Sequence, residues 1–365
     1  MTWSTKKRIR MHNLQSRRGI LAGLGAAAVG LSFSTLSGCH RPHKQQINFY
    51  NWDTYVGKHT LTGFETASGT HVNMSLFSSN DELFAKLRGG NPGYDVIVPS
   101  HDFLARMSKA DMLMPLDHAR IPNMANIAPQ FQHPTYDPDR KYGMPYTWLV
   151  LGIGYRKSKV DGVPDSWKWL FDSDRYKGRI GLLSDAPDLC RLVEIYQGRN
   201  PNVFDRAALD AAQQLLIRQK HNVAVFHDDN GQDLLLAGDI DIVIEYNGDI
   251  AQVMREDKDL AFVLPREGSL IQSDQLAIPK GAPNPDAAHA FINYLLSAEA
   301  GADISRTIAY PTPNAAALKL MDAAYRNNPA IFPPEAALAK CVYAQYLGEA
   351  PYRAFQDVIT RVRAA

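Results

Sequence analysis

Gly143-Met144-Pro145-Tyr146-Thr147-Trp148 runs directly into the strand-like stretch Leu149-Val150-Leu151-Gly152-Ile153-Gly154-Tyr155. This reads as a crossing from one lobe of a protein to another. Ser273-Asp274-Gln275-Leu276-Ala277-Ile278-Pro279 reads as the return crossing. About a domain's worth of chain lies between them. Two crossings that bracket an inserted lobe produce two α/β lobes with a cleft between them, the layout of hinge-closing binding proteins.

Outward from these crossings, strand-like and helix-like segments alternate. Strands are predicted at 47–50, 72–77, 95–98, 149–155, 180–183, 223–226, 240–246, 261–264 and 275–278. Helices are predicted at 81–89, 103–110, 166–171, 206–219, 231–237, 249–256, 286–296 and 299–307, with a helical C-terminal region at 314–325 and again toward Arg361. Such alternation argues an α/β architecture with mostly parallel sheets. The expected organisation is lobe 1 at 47–152 and 275–318, and lobe 2 at 153–274 and 319–365.

The first 38 residues read as an address rather than fold. Ser16-Arg17-Arg18-Gly19-Ile20-Leu21 and the Gly/Ala-rich stretch after it suit a twin-arginine export signal, with an ordinary secretory signal as the alternative. The stretch ends Leu36-Ser37-Gly38-Cys39, a lipobox-like sequence that predicts lipidation of Cys39, with residues 39–46 as a tether. Several acyl chains on Cys39 would anchor the protein stably. No spanning helix is expected after the signal. Gly23-Leu24-Gly25-Ala26-Ala27-Ala28 imitates a dinucleotide fingerprint but follows no strand, so it is set aside.

The formal charge of the whole chain is +1; residues 1–38 carry six basic residues and no acid, so the remainder is −5. That disfavours a nucleic-acid partner, which needs a basic face. Hydrophobic content of 45% and charged content of 21% describe an ordinary globular protein. Cys190 and Cys341 show no spacing signal and are expected as free buried thiols, with a disulfide as the alternative. No nucleophile elbow, phosphate loop, H-E-x-x-H or C-x-x-C occurs. No cofactor, metal or catalytic role is therefore predicted; a zinc carrier is a minor alternative, through scattered histidines such as His101 and His227. Asp228-Asp229-Asn230-Gly231-Gln232-Asp233 hints at calcium, but Phe226 breaks the alternating oxygens, and a turn with a helix cap is expected.

What remains are acids and aromatics at loop tips. Tyr50-Asn51-Trp52-Asp53-Thr54-Tyr55-Val56 closes the first strand, Asp185-Ala186-Pro187-Asp188 follows 180–183, and Tyr246-Asn247-Gly248-Asp249 follows 240–245. Asp274 precedes 275–278, and Tyr310-Pro311-Thr312-Pro313-Asn314 is a rigid aromatic turn. Strand-to-loop junctions of α/β proteins are where ligands sit. Aromatic faces beside carboxylates suit an organic cation. Each residue also has a plainer role as a helix cap, turn or packing residue.

Five ordered segments carry a resemblance to the spermidine/putrescine-binding periplasmic protein family, the solute receptors of polyamine ABC importers. They are Tyr50-Asn51-Trp52 with Tyr55, Tyr94–Ser100, Met144–Trp148, Asp274 with Leu276-Ala277-Ile278-Pro279, and Tyr310–Asn314. The resemblance implies a type II periplasmic binding protein fold, a polyamine in the cleft, a membrane permease as partner and a monomer. It implies Trp52 and Tyr55 as walls for the methylenes, Ser100 as a hydroxyl after the third strand, and Asp185 and Asp188 as acids of the second lobe. Asp274 and Asp249 are implied as ammonium partners and Tyr310 as a cleft tyrosine. The chain departs from the family at Asp53-Thr54, where the acid usually comes second, at Tyr246, where Trp is usual, and at Gln272, where an aromatic is common. Asp102 falls near a position that is Tyr in some members. Asp53 and Tyr246 are kept as candidate ligand residues. The alternatives are a receptor for agmatine or an opine-like compound, and a sensory lipoprotein or cleft enzyme on the same fold.

Overall fold

The structure is a computed structural model and describes residues 45–365. The twin arginines, the apolar stretch and Cys39 lie outside the described residues. No helix among the described residues is long and apolar enough to cross a membrane.

Among the described residues, ten strands form two sheets. They are β1 (Gln46–Trp52), β2 (His71–Phe77), β3 (Val96–Ile97), β4 (Met144–Arg156), β5 (Ile180–Leu183), β6 (Val223–His227), β7 (Ile242–Tyr246), β8 (Leu260–Val263), β9 (Leu270–Leu276) and β10 (Val342–Tyr343). The smaller sheet has the order β2-β1-β3 and is wholly parallel. The larger has the order β10-β9-β4-β7-β5-β6, with β8 paired to β4. It is mixed rather than mostly parallel, because β4 runs antiparallel to β7, β8 and β9.

The two predicted crossings are therefore one antiparallel pair. The first half of β4 pairs with β9, from Met144 opposite Leu276 to Val150 opposite Ile271. The second half pairs with β7 and β8. Single bridges tie Ile97 to Ala277 and Ser100 to Asp274, joining the end of the small sheet to β9. A long strand shared in this way carries side chains from one lobe to the mouth of the other.

The hydrophobic cores part along this pair. One holds Ile47, Phe49, Phe64, Leu149, Leu276 and Phe291. Another holds Leu151, Ile153, Trp167, Leu192, Leu270 and Phe355. Each large buried side chain contributes roughly 1.5–3 kcal/mol on removal from water. Residues 321–331 join neither: Met321, Tyr325 and Ile331 pack with Ala251, Ala302 and Ala317 in a separate cluster.

The helix Ala186–Tyr196 is absent from the sequence prediction. All ten residues from Ala186 to Ile195 are buried, including Asp188, Arg191 and Glu194, although its polar and apolar residues recur with a helical period. The C-terminal helix Glu349–Ala364 packs Phe355, Val358, Ile359 and Val362 into the second core. Cys190 and Cys341 are both free; Cys190 is buried and Cys341 only half-buried.

Candidate functional site

A cavity of about 380 Å³ opens where the strand ends of both sheets meet. Trp52, Asp53, Tyr55, Ser100, Asp185, Tyr246, Asp249, Asp274 and Tyr310 all line it. Asp188 does not: it sits behind the wall and accepts hydrogen bonds from Gln272 and, at 3.5 Å, from the Tyr246 hydroxyl. It also faces the buried guanidinium of Arg191 at 3.9 Å. Its expected place against a ligand is taken by Gln272, which does line the cavity.

Asp274 is the most tightly held acid. Its Oδ1 accepts from the Ser100 hydroxyl at 2.8 Å, and its Oδ2 from the Tyr55 hydroxyl at 2.7 Å. Thr147 adds a third hydroxyl at 3.5 Å. The β4–β9 pairing sets Thr147 opposite Asp274, and the bridge to Ser100 brings in the end of the small sheet. Burial pushes the Asp274 carboxyl up to about 6, against the pull of these donors.

Thr54 takes a left-handed conformation, φ 50°, and turns the chain after β1. That turn leaves Asp53 exposed at the rim, its Oδ1 accepting from the Thr54 N–H at 2.8 Å, and returns Tyr55 to the interior. Tyr55 is thus more than a flat wall: its ring meets those of Tyr310 and Tyr146 edge to face, and its hydroxyl orients Asp274. Trp52 is half-buried and pinned by its indole N–H to the Val98 carbonyl at 2.9 Å.

Across the cavity, Asp249 lies in the first turn of the helix Asn247–Glu256. Its Oδ2 accepts from the Tyr310 hydroxyl at 2.5 Å. The Tyr310 ring lies against Gly248 so closely that any side chain there would strike it. Burial, with Asp274 and Asp233 nearby, pushes the Asp249 carboxyl up to about 7. Asp185 caps the helix Ala186–Tyr196 by accepting from the Asp188 N–H, and burial raises it too to about 7.

The acids of the loop after β6 were expected to form only a turn and cap. Asp228, Asp229 and Asp233 instead line the cavity, and Asn230, at the helix N-terminus, makes no side-chain cap. Glu245, at the end of β7, lies fully buried beside Asp229 and Asp249. A run of acids in a polar loop reads as solvated surface; only the fold brings it to the cleft. Nine lining residues are acidic, and among the described residues that line the cavity none is Lys, Arg or His.

The family model for bacterial extracellular solute-binding proteins matches residues 61–333. The chain is 34% identical over 340 residues to the putrescine-binding periplasmic protein PotF of Escherichia coli, covering 88% of this chain and 91% of that one. It is 30% identical over 332 residues to the spermidine/putrescine-binding periplasmic protein of Salmonella typhimurium, covering 90% and 94%. Among solved structures, it resembles the spermidine/putrescine ABC transporter substrate-binding protein PotD of Streptococcus pneumoniae. The TM-score is 0.76 at 28% identity, over 88% of this chain and 99% of that one. With the two-lobed fold these matches agree: the chain belongs to the bacterial extracellular solute-binding proteins, in the spermidine/putrescine-binding periplasmic protein family.

Proposed function

We propose that this protein captures a short aliphatic polyamine, putrescine or spermidine, in its interlobe cavity outside the cytoplasm and delivers it to an ABC permease. The observation that carries the reading is the charge of the cavity: among the described residues, nine acidic side chains line it and no basic one does. Buried carboxylates without cationic partners favour a ligand that supplies the cations. The relatives named for putrescine and spermidine support the same class.

Asp274, preset by three hydroxyls, holds one ammonium group; Asp249 and Asp185 draw the rest of the charge. Trp52, Tyr55, Tyr246 and Tyr310 give the methylenes flat apolar walls. Each charge-assisted bond contributes roughly 1.5–3 kcal/mol, and each aromatic–cation contact about 0.5–2. Closure of the lobes excludes water and strengthens each pair. In this reading the ligand is bound and released unchanged, the role of the solute-binding family the chain belongs to.

A thermal-shift panel of putrescine, cadaverine, spermidine, spermine, agmatine and zinc tests the reading. A ligand at 100 times its dissociation constant adds about 2.7 kcal/mol of stability. A response to putrescine or spermidine is expected; no response to any amine would sink the reading. Export and anchoring rest on the Arg17-Arg18 pair and on Leu36-Ser37-Gly38-Cys39. Cys39→Ser is expected to move the exported protein from the membrane to the soluble fraction.

A further inference from the structure

The loop after β6 and the end of β7 place two further acids beneath the Asp249 end of the cavity. One carboxylate oxygen from each of Asp229, Glu245 and Asp249 lies within 4.8 Å of those of the other two. Glu245 is fully buried, and its Oε2 has no hydrogen-bond partner. Its Oε1 is already used, accepting from the Tyr246 N–H at 2.9 Å. Burial, with Asp249 and Asp229 beside it, raises the Glu245 carboxyl well above its ordinary range; the nearby Gly231 amide offsets this only in part and closes no hydrogen bond on Oε2.

The one basic side chain beside Glu245 among the described residues is His227, whose Nδ1 stands 3.7 Å from Oε2. His227 Nε2 lies 3.1 Å from the Ile244 carbonyl, which assigns the proton to Nε2. Burial pushes the imidazole down to about 4, so the ring is neutral near pH 7 and Nδ1 presents a lone pair. His227 therefore does not neutralise Glu245. A buried, unpaired carboxylate oxygen beside two further acids calls for a cation from outside.

We propose that Asp229, Glu245 and Asp249 form a subsite for a primary ammonium group, and that this subsite selects one end of the ligand by its N–H donors. Three atoms no more than 4.8 Å apart share a point within about 2.8 Å of each, which is the length of a charge-assisted N–H···O bond. A primary ammonium offers three N–H donors, one for each acid. A secondary ammonium offers two and a quaternary one none. Tyr246 and Tyr310 face the cavity at this end, and the acids supply the acceptors that tell one ammonium from another. The inference rests on the amine reading of the cavity and adds Asp229 and Glu245 to it.

The test is calorimetry with putrescine and with 1,4-bis(trimethylammonio)butane, which has the same charge and no N–H. It is run on the full mature chain, on D229N and on E245Q. The wild type is expected to bind putrescine at least a hundredfold more tightly than the quaternary analogue. Each variant is expected to weaken putrescine tenfold or more and to leave the analogue within threefold. Asp229 is half-buried on a loop, so D229N carries the test if E245Q does not fold. If the wild type binds neither putrescine nor its analogue, the amine reading falls and the subsite with it. If it binds putrescine and folded D229N binds it equally well, the subsite alone falls. Equal weakening of both ligands would show only a general field and would also overturn it. So would tight binding of Mn2+ or Ca2+ to the amine-free wild type that D229N removes, since the same oxygens suit a hard divalent cation.

Discussion

The Tyr55 hydroxyl donates a 2.7 Å hydrogen bond to Oδ2 of Asp274, a residue 219 positions further along the chain. The bond joins the loop after β1 to β9, and so ties the first strand of one sheet to a strand of the other. Both groups are buried, and burial, helped by the carboxylate, raises the Tyr55 phenol well above its ordinary range, where it remains a donor at any working pH. Asp274→Asn keeps the shape and removes the charge; it is expected to weaken putrescine at least tenfold, from the roughly 1.5–3 kcal/mol of one charge-assisted bond. Tyr55→Phe removes one donor of three and is expected to cost only a few-fold. Calorimetry on both variants checks the order, and an unchanged affinity in Asp274→Asn would refute the assignment.

Affinity is expected to rise with pH. Asp185 and Asp249 are held up to about 7 and Asp274 to about 6, against about 4 for an unfolded Asp. In the ligand-free protein these acids hold protons that an amine must displace. Their ionised forms bind the cation, so affinity grows from pH 6 to 8, by up to about tenfold per unit for each proton released. Calorimetry in two buffers of different ionisation enthalpy measures that release; a pH-independent affinity with none would contradict it.

The same groups give the ligand-free protein an opposite trend in stability. An acid with a raised folded value stabilises fully below its unfolded value, and that contribution is lost as pH rises through the folded one. Stability of the ligand-free form is therefore expected to increase as pH falls from 7.5 to 6.5. Below that, His227, held down to about 4, works the other way and flattens the curve. Urea titrations with and without putrescine check both signs.

Asp185 and Asp188, alike in sequence, are expected to separate in experiment. Asp185 lines the cavity, so Asp185→Asn acts mainly on affinity. Asp188 is held by Gln272 and Tyr246 and faces buried Arg191, which also donates to the Gln345 carbonyl and faces Asp102 at 4.0 Å. Asp188→Asn is expected to cost about 1–3 kcal/mol in stability, because it disturbs a buried, hydrogen-bonded acid. A matched loss of affinity and no loss of stability in both variants would show that the assignment is wrong.

Arg106 is expected to matter for stability without touching the ligand. Its guanidinium lies 4.0 Å from the Phe84 ring and 3.9 Å from that of Tyr352, and its Nε donates to Glu349 at 2.7 Å. Tyr352 and Glu349 belong to the C-terminal helix, so the contact links that helix to 101–109. The acids are half-exposed and contribute little. The stacked cation is expected to give about 1–3 kcal/mol, read as a urea midpoint shift in Arg106→Ala. Lys at 106 keeps the charge but not the plane, and is expected to recover less than half.

The α/β class and the two crossings were legible in the chain because they depend on local pattern: apolar runs of strand length, turns between them, and an aromatic stretch before a long strand. Most of the predicted cavity residues could be named from acids and aromatics at strand ends, since that position in an α/β fold faces the ligand side. Three things were not legible. The helix Ala186–Tyr196 begins at Ala186-Pro187-Asp188, which reads as a loop tip after 180–183, so its helical period was passed over. Asp188 was grouped with Asp185, yet Gln272 stands between it and the cavity and buried Arg191 faces it. Glu245 was read only as part of a strand, and the acids of 228–233 only as a turn and helix cap. Local sequence thus settles which segments are strands and which residue types stand at their ends. Only the packing of β4 against β7 and β9 decides which carboxylates meet and lose water, because burial and charge proximity arise between residues far apart in the chain.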